Sequence, residues 1–315
     1  NTTGHENTAV GRNTLDACDD GAGNTAMGES ALTANVSGDN NTAVGANALG
    51  STTVGSNTGF GKSAGGGITT GAGDTCVGLS AGLSLTTGAQ NTFIGAVAGG
   101  EATANAITGA GNTCVGYGAG YTMEGAAVYN TILGQDSGNV ITTGDNNLLL
   151  GHEAGTSASD SGTITTQDNV LVLGNASISS FYCATATINT SDSRDKTDIT
   201  DFNGGLDWVN AMQPKTFNWD KRVWYAGDKP TSQDILDAVP DGTKKKEDLQ
   251  LGFLAQDILD IEQANGYADN NENSLLVNLT NDETRYGLAY SRIVPILVNA
   301  IKELSAKVTA LEDAQ

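Results

Sequence analysis

Histidine is almost absent from the 315 residues. There are two, His5 and His152, too few for a histidine triad or a histidine-based metal centre. The four cysteines (Cys18, Cys76, Cys114, Cys183) are widely spaced with no C-x-x-C pair, which argues against a disulfide framework and a zinc site. No apolar run is long enough to span a bilayer, and no signal peptide is visible. The chain opens on Asn1 rather than Met, so a fragment or processed product with something upstream is expected. Basic residues are scarce as well: 15 against 36 acidic, a net charge of -21. Such a balance disfavours nucleic acid phosphates and anionic membranes as partners. The deficit is uneven. Residues 1–190 carry two basic residues (Arg12, Lys62) and 14 acidic ones, and residues 191–315 carry 13 and 22. An acidic, solvated surface is the reading of the first region.

What that region has instead is a repeat. Asn/Asp-Thr-x-apolar-Gly begins at Asn7, Asn24, Asn41, Asn57, Asp74, Asn91, Asn112 and Asn130, with looser copies at Asn147 and Asn169. Most copies continue as Gly-x-x-Ala/Ser-Gly/Leu, as in Gly28 to Leu32 and Gly78 to Gly82. A period of mostly 16–18 residues is too short for a helix pair. It fits a mainly β, parallel β-solenoid of the β-roll kind over 1–178, in which no turn buries its apolar side chain alone. Ten turns span roughly 45–50 Å. The apolar residue closing each short strand (Val10, Met27, Val44, Phe60, Val77, Ile94, Val115, Leu133, Leu150) is expected to stack in one buried column. Gly then turns the corner, and Asn stacks in a ladder or satisfies corner amides. Large apolar residues are few, so several chains are expected to share a core. Cys76 and Cys114 hold equivalent places two turns apart, roughly 10 Å, too far for a disulfide, and read as packing residues. Gly61-Lys62-Ser63 and the Gly116 to Gly120 run resemble phosphate loops only superficially, because both belong to the repeat and no β–α unit surrounds them. Asp19 and Asp20 are adjacent and do not make the opposed carboxylates of a glycosidase.

Residues 179–190 leave the repeat, are rich in β-formers, and read as one or two junction strands closing the solenoid. From 191 onwards the composition changes. Asp201 to Met212 reads as a short helix interrupted at Gly204-Gly205, with Leu206, Val209 and Trp208 towards a core. Thr216 to Trp219 and Leu251 to Gln256 read as strands, the second followed by a helix from Asp257. Residues 226–248, with Lys244-Lys245-Lys246, read as an exposed insert. At the end, Tyr290, Val294, Leu297, Ile301, Leu304, Val308 and Leu311 recur at steps of four and three, a heptad seam over 290–312. Ile301 and Val308 fall at a, Leu304 and Leu311 at d, and Lys307 at g can meet Glu312 at the next e of a parallel neighbour. The β-branched a with Leu at d leans towards two strands, whereas the repeats lean towards three.

Ser191-Asp192-Ser193-Arg194-Asp195-Lys196 sits on the seam between the two kinds of sequence. Taken alone it reads as a polar cap before a helix. Together with Ile199, Gly205-Leu206-Asp207, Pro214-x-x-Phe217-x-Trp219, Gly252-Phe253-Leu254-Ala255-Gln256-Asp257 and Ala300-Ile301-Lys302-Glu303-Leu304, it resembles the intramolecular chaperone domain of phage tail spikes and fibres, peptidase family S74. The repeats before it resemble trimeric adhesin heads and tail fibres. The resemblance implies an α+β domain over 191–315, ending in a coiled-coil helix, that joins three chains, guides the repeats into register, and then cuts the backbone between Thr190 and Ser191. Ser191 is then the nucleophile and Lys196 the base. A lysine acts so only when burial or a nearby cation lowers its pKa, and Arg194 is the neighbouring cation. Five residues apart, the pair needs a turn or a chain contact to meet. Related domains carry an assisting His two residues before the Gly of the Gly-Phe-Leu-Ala-Gln motif, and this chain has Gln250 there. The resemblance further implies a virion tail protein with an upstream tail or baseplate partner and a host-surface receptor such as a glycan, without cofactor, metal or membrane insertion. The alternatives are a bacterial trimeric surface adhesin with a permanent C-terminal clamp, and a glycan-degrading spike.

Overall fold

The computed structural model describes residues 3–100, 105–182, 191–227, 230–269, 273–280 and 282–314. The chain divides into two compact units, Asn1–Ile178 and Ser179–Gln315.

The first unit is a parallel β-solenoid. Ten three-residue strands stack in chain order into one sheet. They are Thr8–Val10, Thr25–Met27, Thr42–Val44, Thr58–Phe60, Thr75–Val77, Thr92–Ile94, Thr113–Val115, Thr131–Leu133, Leu148–Leu150 and Leu171–Leu173 (β1–β10). The register is strict: Thr8 pairs with Thr25, Thr25 with Thr42, and so on to Leu148 with Leu171. Longer repeats do not disturb it, since Thr92 still pairs with Thr113 across a spacing of 21. The asparagines form the expected ladder. Asn7 Oδ1 accepts the Asn24 N–H (2.8 Å), Asn24 Oδ1 the Asn41 N–H (2.9 Å), and the chain of contacts continues to Asn147 Oδ1 and the Val170 N–H (2.9 Å). Buried side-chain amides thereby satisfy corner N–H groups that the strands leave unpaired.

The apolar column differs from the sequence expectation. Val10 through Leu150 do stack in register, but they face outward; Val10, Met27, Phe60, Ile94 and Leu133 are exposed. A strand's side chains alternate between its two faces, so in a three-residue strand the middle residue takes the face opposite its neighbours. The core column is therefore Ala26, Ala43, Gly59, Cys76, Phe93, Cys114, Ile132, Leu149 and Val172. Two more inward columns join it, one led by Ala31, Ala48, Ala64 and Ala81, the other by Ile68, Leu85, Ile107, Met123, Ile141 and Ile164. Cys76 and Cys114 are buried and free, with Phe93 between them.

This core trades volume between two positions of each turn. Early turns put a leucine at the corner, Leu32 and Leu49, in left-handed backbone (φ 52° and 49°). Their strand centres are small, Ala26 and Ala43. Later turns put glycine at that corner; Leu49 still fills the turn whose centre is Gly59, and the centres then grow to Cys76, Phe93, Ile132 and Leu149. At Gly99 (φ 67°) a Cβ would lie 2.5 Å from the Phe93 ring, so the corner is empty because Phe93 fills it. A left-handed leucine costs on the order of 1–2 kcal/mol, which the burial of its side chain offsets.

In the second unit, α1 (Leu206–Ala211) begins after the Gly204-Gly205 pair instead of being interrupted by it, and Trp208 is its buried residue. A two-stranded antiparallel ribbon joins β11 (Lys215–Phe217) and β12 (Gln250–Gly252), each one residue earlier than expected. The insert holds a short helix, α2 (Ser232–Asp237), closed by a Thr231–Asp234 capping box and anchored by buried Ile235. The helix α3 (Ala255–Ala264) starts two residues before Asp257. A second ribbon, β13 (Val277–Leu279) with β14 (Tyr286–Leu288), had no sequence counterpart. After a helical turn at Tyr290–Arg292 the chain ends in α4 (Ile293–Glu312). The core gathers Trp208, Met212, Ile258, Leu276, Val277, Ile293 and Ile296. Residues 179–182 carry no strand; Cys183 and the rest of the junction through Thr190 lie outside the described residues.

Candidate functional site

The site starts from a local turn. Asp192 caps a single helical turn, Ser193–Asp195, by accepting the Arg194 N–H on Oδ1 (2.9 Å). The Asp195 N–H returns to the Asp192 carbonyl (3.2 Å) and the Lys196 N–H to Ser193 (3.4 Å). A helix would separate positions five apart. This one turn, left at once by an extended Lys196 (φ -121°, ψ 141°), folds Lys196 back on Ser191. Lys196 Nζ donates to Ser191 Oγ at 2.6 Å, and both side chains are exposed in the single chain.

Arg194 faces Asp192. Its Nε lies 3.0 and 3.1 Å from the two carboxylate oxygens and its Nη2 2.5 Å from Oδ2. The Arg194 side chain, and then its backbone N–H, hold the Asp192 carboxyl below the usual range; the same contact raises the Arg194 pKa. The guanidinium charge is thus matched locally by a carboxylate. Gln250 opens β12 opposite Phe217. Among the described residues no hydrogen bond links Gln250 to Ser191 or Lys196. Thr190, whose carbonyl is the expected point of attack, lies outside the described residues.

The helix α4 presents two apolar faces. Ile293, Ile296 and Ala300 are buried in the second unit's core. The heptad residues Val294, Leu297, Ile301, Leu304, Val308 and Leu311 are 42–68% exposed. The polar side of the helix grips the segment leading into α1. Asn299 Nδ2 donates to the Phe202 carbonyl (2.7 Å), and Glu303 Oε2 accepts the Leu206 N–H (3.2 Å). Tyr290 precedes the helix, and its hydroxyl accepts the Phe253 N–H (3.0 Å), tying the start of the seam to the Gly-Phe-Leu-Ala-Gln segment. A period of seven reveals apolar seams, so it carried no signal for these polar clamps. The lysine run lies on the exposed insert as expected, and two of its ammonium groups stand beside aromatic rings. Lys244 stands 5.2 Å from the Tyr225 ring centroid and Lys246 5.3 Å from that of Trp224.

In chemical terms the turn holds a serine hydroxyl against an amine at the first residue after the junction. Comparison of the chain with curated proteins and with solved structures finds no match. Residues 191–267, starting at the serine of this turn, match the Peptidase S74 family model, chaperone of endosialidase, and with the β-solenoid before them they fit a tail fibre with a C-terminal chaperone domain.

Proposed function

We propose that the chain is a homotrimeric phage tail-fibre or spike protein for host attachment, whose C-terminal domain drives trimerisation and then releases itself between Thr190 and Ser191. The observation that carries this reading is the 2.6 Å contact of Lys196 with Ser191 at the first matched residue. Supporting it is the exposed seam of α4, which a lone chain leaves in water. A solenoid of near-identical turns can pair in wrong registers, and long-range strand pairing is slow. Joining three chains at one end raises their local concentration and fixes the start of the register. Cutting afterwards removes the route back and leaves a kinetically trapped shaft.

In the cutting step, Ser191 Oγ attacks the Thr190 carbonyl carbon while neutral Lys196 takes the hydroxyl proton. The C–N bond then breaks, and Lys196 returns the proton to the departing Ser191 nitrogen. Water hydrolyses the resulting ester, leaving the Thr190 carboxylate and the restored Ser191 hydroxyl. Neutral lysine near neutral pH needs burial or a neighbouring cation. Ser191 and Lys196 are exposed in the single chain, so adjoining chains supply the cover and cleavage waits for assembly. An upstream tail component and a host-surface receptor, glycan included, complete the partners of a virion protein. Intact mass of the expressed chain tests the reading: wild type yields a fragment beginning at Ser191, and Ser191→Ala and Lys196→Met do not. Full-length chains surviving unchanged in all three would refute the cleavage step and favour an adhesin with a permanent C-terminal clamp.

A further inference from the structure

Nine ladder positions run from Asn7 to Asn147, and the fifth is not asparagine but Asp74. The buried asparagines use both ends of the amide. Oδ1 accepts the backbone N–H of the next rung, and Nδ2 donates to a carbonyl in the turn beyond. Asn57 reaches Gly71 (2.9 Å), Asn91 reaches Gly109 (3.2 Å) and Asn130 reaches Gly144 (2.8 Å). Asp74 reproduces the first half, with Oδ1 accepting the Asn91 N–H at 2.8 Å. The second half is missing: Asp74 Oδ2 is buried without a hydrogen-bond partner. The stacked glycines identify what it faces. A Cβ on Gly71 would lie 2.1 Å from the Gly88 carbonyl oxygen and 2.8 Å from Asp74 Oδ2, and one on Gly88 2.0 Å from the Gly109 oxygen. Gly88 is thus the rung between Gly71 and Gly109, and its carbonyl oxygen neighbours Asp74 Oδ2. Two acceptors meet where every other rung has a donor and an acceptor.

A carboxylic acid supplies the missing hydrogen. We propose that Asp74 is a protonated rung whose Oδ2–H donates to the Gly88 carbonyl, and that losing this proton sets two buried acceptors against each other and loosens the middle of the solenoid. The groups that face it among the described residues carry no positive charge to hold a carboxylate. Asn57 faces it from the preceding turn, Asn91 and the Gly88 backbone from the following one, and Cys76 from its own strand. Burial, and then the Asp74 charge, push the Cys76 thiol up, so it stays neutral. Burial likewise raises Asp74 from 3.8 to about 6 against the opposing N–H groups of Asn91. The sign follows. Between these two values the folded chain holds a proton that the unfolded chain has released, so this stability is fully present at the acid end and lost as pH rises through about 6. The shift corresponds to a roughly hundredfold change in the unfolding constant.

Asp74→Asn in the full chain tests this by restoring the amide arm. Unfolding of the solenoid is followed by denaturant titration from about pH 4.5 to about pH 7.5, with the infrared carbonyl stretch of protonated carboxylic acid recorded at about pH 5. The expected result is that wild type loses roughly thirtyfold in unfolding constant relative to the variant across this range, the part of the shift below about pH 4.5 being already lost, and that a buried-acid band is present in wild type only. Parallel pH profiles, or identical infrared spectra, overturn the proposal. A variant that fails to fold also overturns it, because an amide fits the other eight rungs.

Discussion

Ile301→Ala addresses one face of α4 and leaves the other intact. Ile301 is 67% exposed in the single chain, whereas Ile296, on the opposite face, is 2% exposed. Fully burying an isoleucine is worth about 1.5–3 kcal/mol, so the two thirds still open at Ile301 represents about 1–2 kcal/mol per chain. Three chains lose about 3–6 kcal/mol, which weakens the trimer by about 10²–10⁴-fold at tenfold per 1.4 kcal/mol. Sedimentation equilibrium reads this directly, on chains carrying Ser191→Ala so that cleavage does not enter. The contrasting arm is Ile296→Ala, which costs about 2–5 kcal/mol of domain stability through a core cavity while leaving association of the folded chains unchanged. If Ile301→Ala leaves the association constant where it was, or if the parent chain sediments as a monomer, the seam is not an interface and the trimer reading fails.

Two further outcomes concern stability. Glu262 is buried and accepts the N–H groups of Leu275 (2.8 Å), Leu276 (2.5 Å) and Val277 (3.2 Å) and the Ser274 hydroxyl (3.1 Å). Glu262→Gln keeps one acceptor and turns a donor towards donors, so thermal unfolding should register a loss of about 2–4 kcal/mol; an unchanged midpoint contradicts the assignment. Phe93→Ala empties the centre of β6 and costs about 3–5 kcal/mol in denaturant titration. Adding Gly99→Leu should recover about 1–2 kcal/mol of that by recreating the Leu49-with-Ala43 arrangement, and no recovery would show that the two positions do not exchange volume.

The solenoid was legible because its signal repeats. Ten copies of a five-residue unit fixed the strand positions and the stacking register. The facing was not legible from the same unit. Val10 and its equivalents are the conspicuous apolar residues, yet the inward place goes to a column that runs through Ala, Gly, Cys, Phe, Ile, Leu and Val, with no shared size. That column is variable because Leu32 and Leu49, or the glycines replacing them, set how much room each centre has. At the site, the residue types and the spacing of Ser191 and Lys196 were readable. The need for a turn or a chain contact between them was readable too, but the residue that organises the turn was not, since Asp192 is one acidic residue among many. Tyr290 illustrates the same limit. A heptad pattern assigns it to the seam, while the structure also gives its hydroxyl the Phe253 N–H, a contact that depends on a segment 37 residues away. Glu262 and the β13–β14 ribbon escaped notice because their hydrogen bonds leave no periodic trace.

The ladder and the strand bonds of the solenoid run from turn to turn, along its axis, while a separate set of short-range bonds, such as Ala48 N–H to the Gly45 carbonyl and Ile68 N–H to the Gly65 carbonyl, closes the corners within each turn. A pull along that axis therefore loads every bond of an interface in parallel, the strand bonds and the asparagine arm together. Peeling from an end instead breaks one turn at a time. Under tension such a shaft resists extension, and it yields first wherever an outermost strand has a neighbour on one side alone.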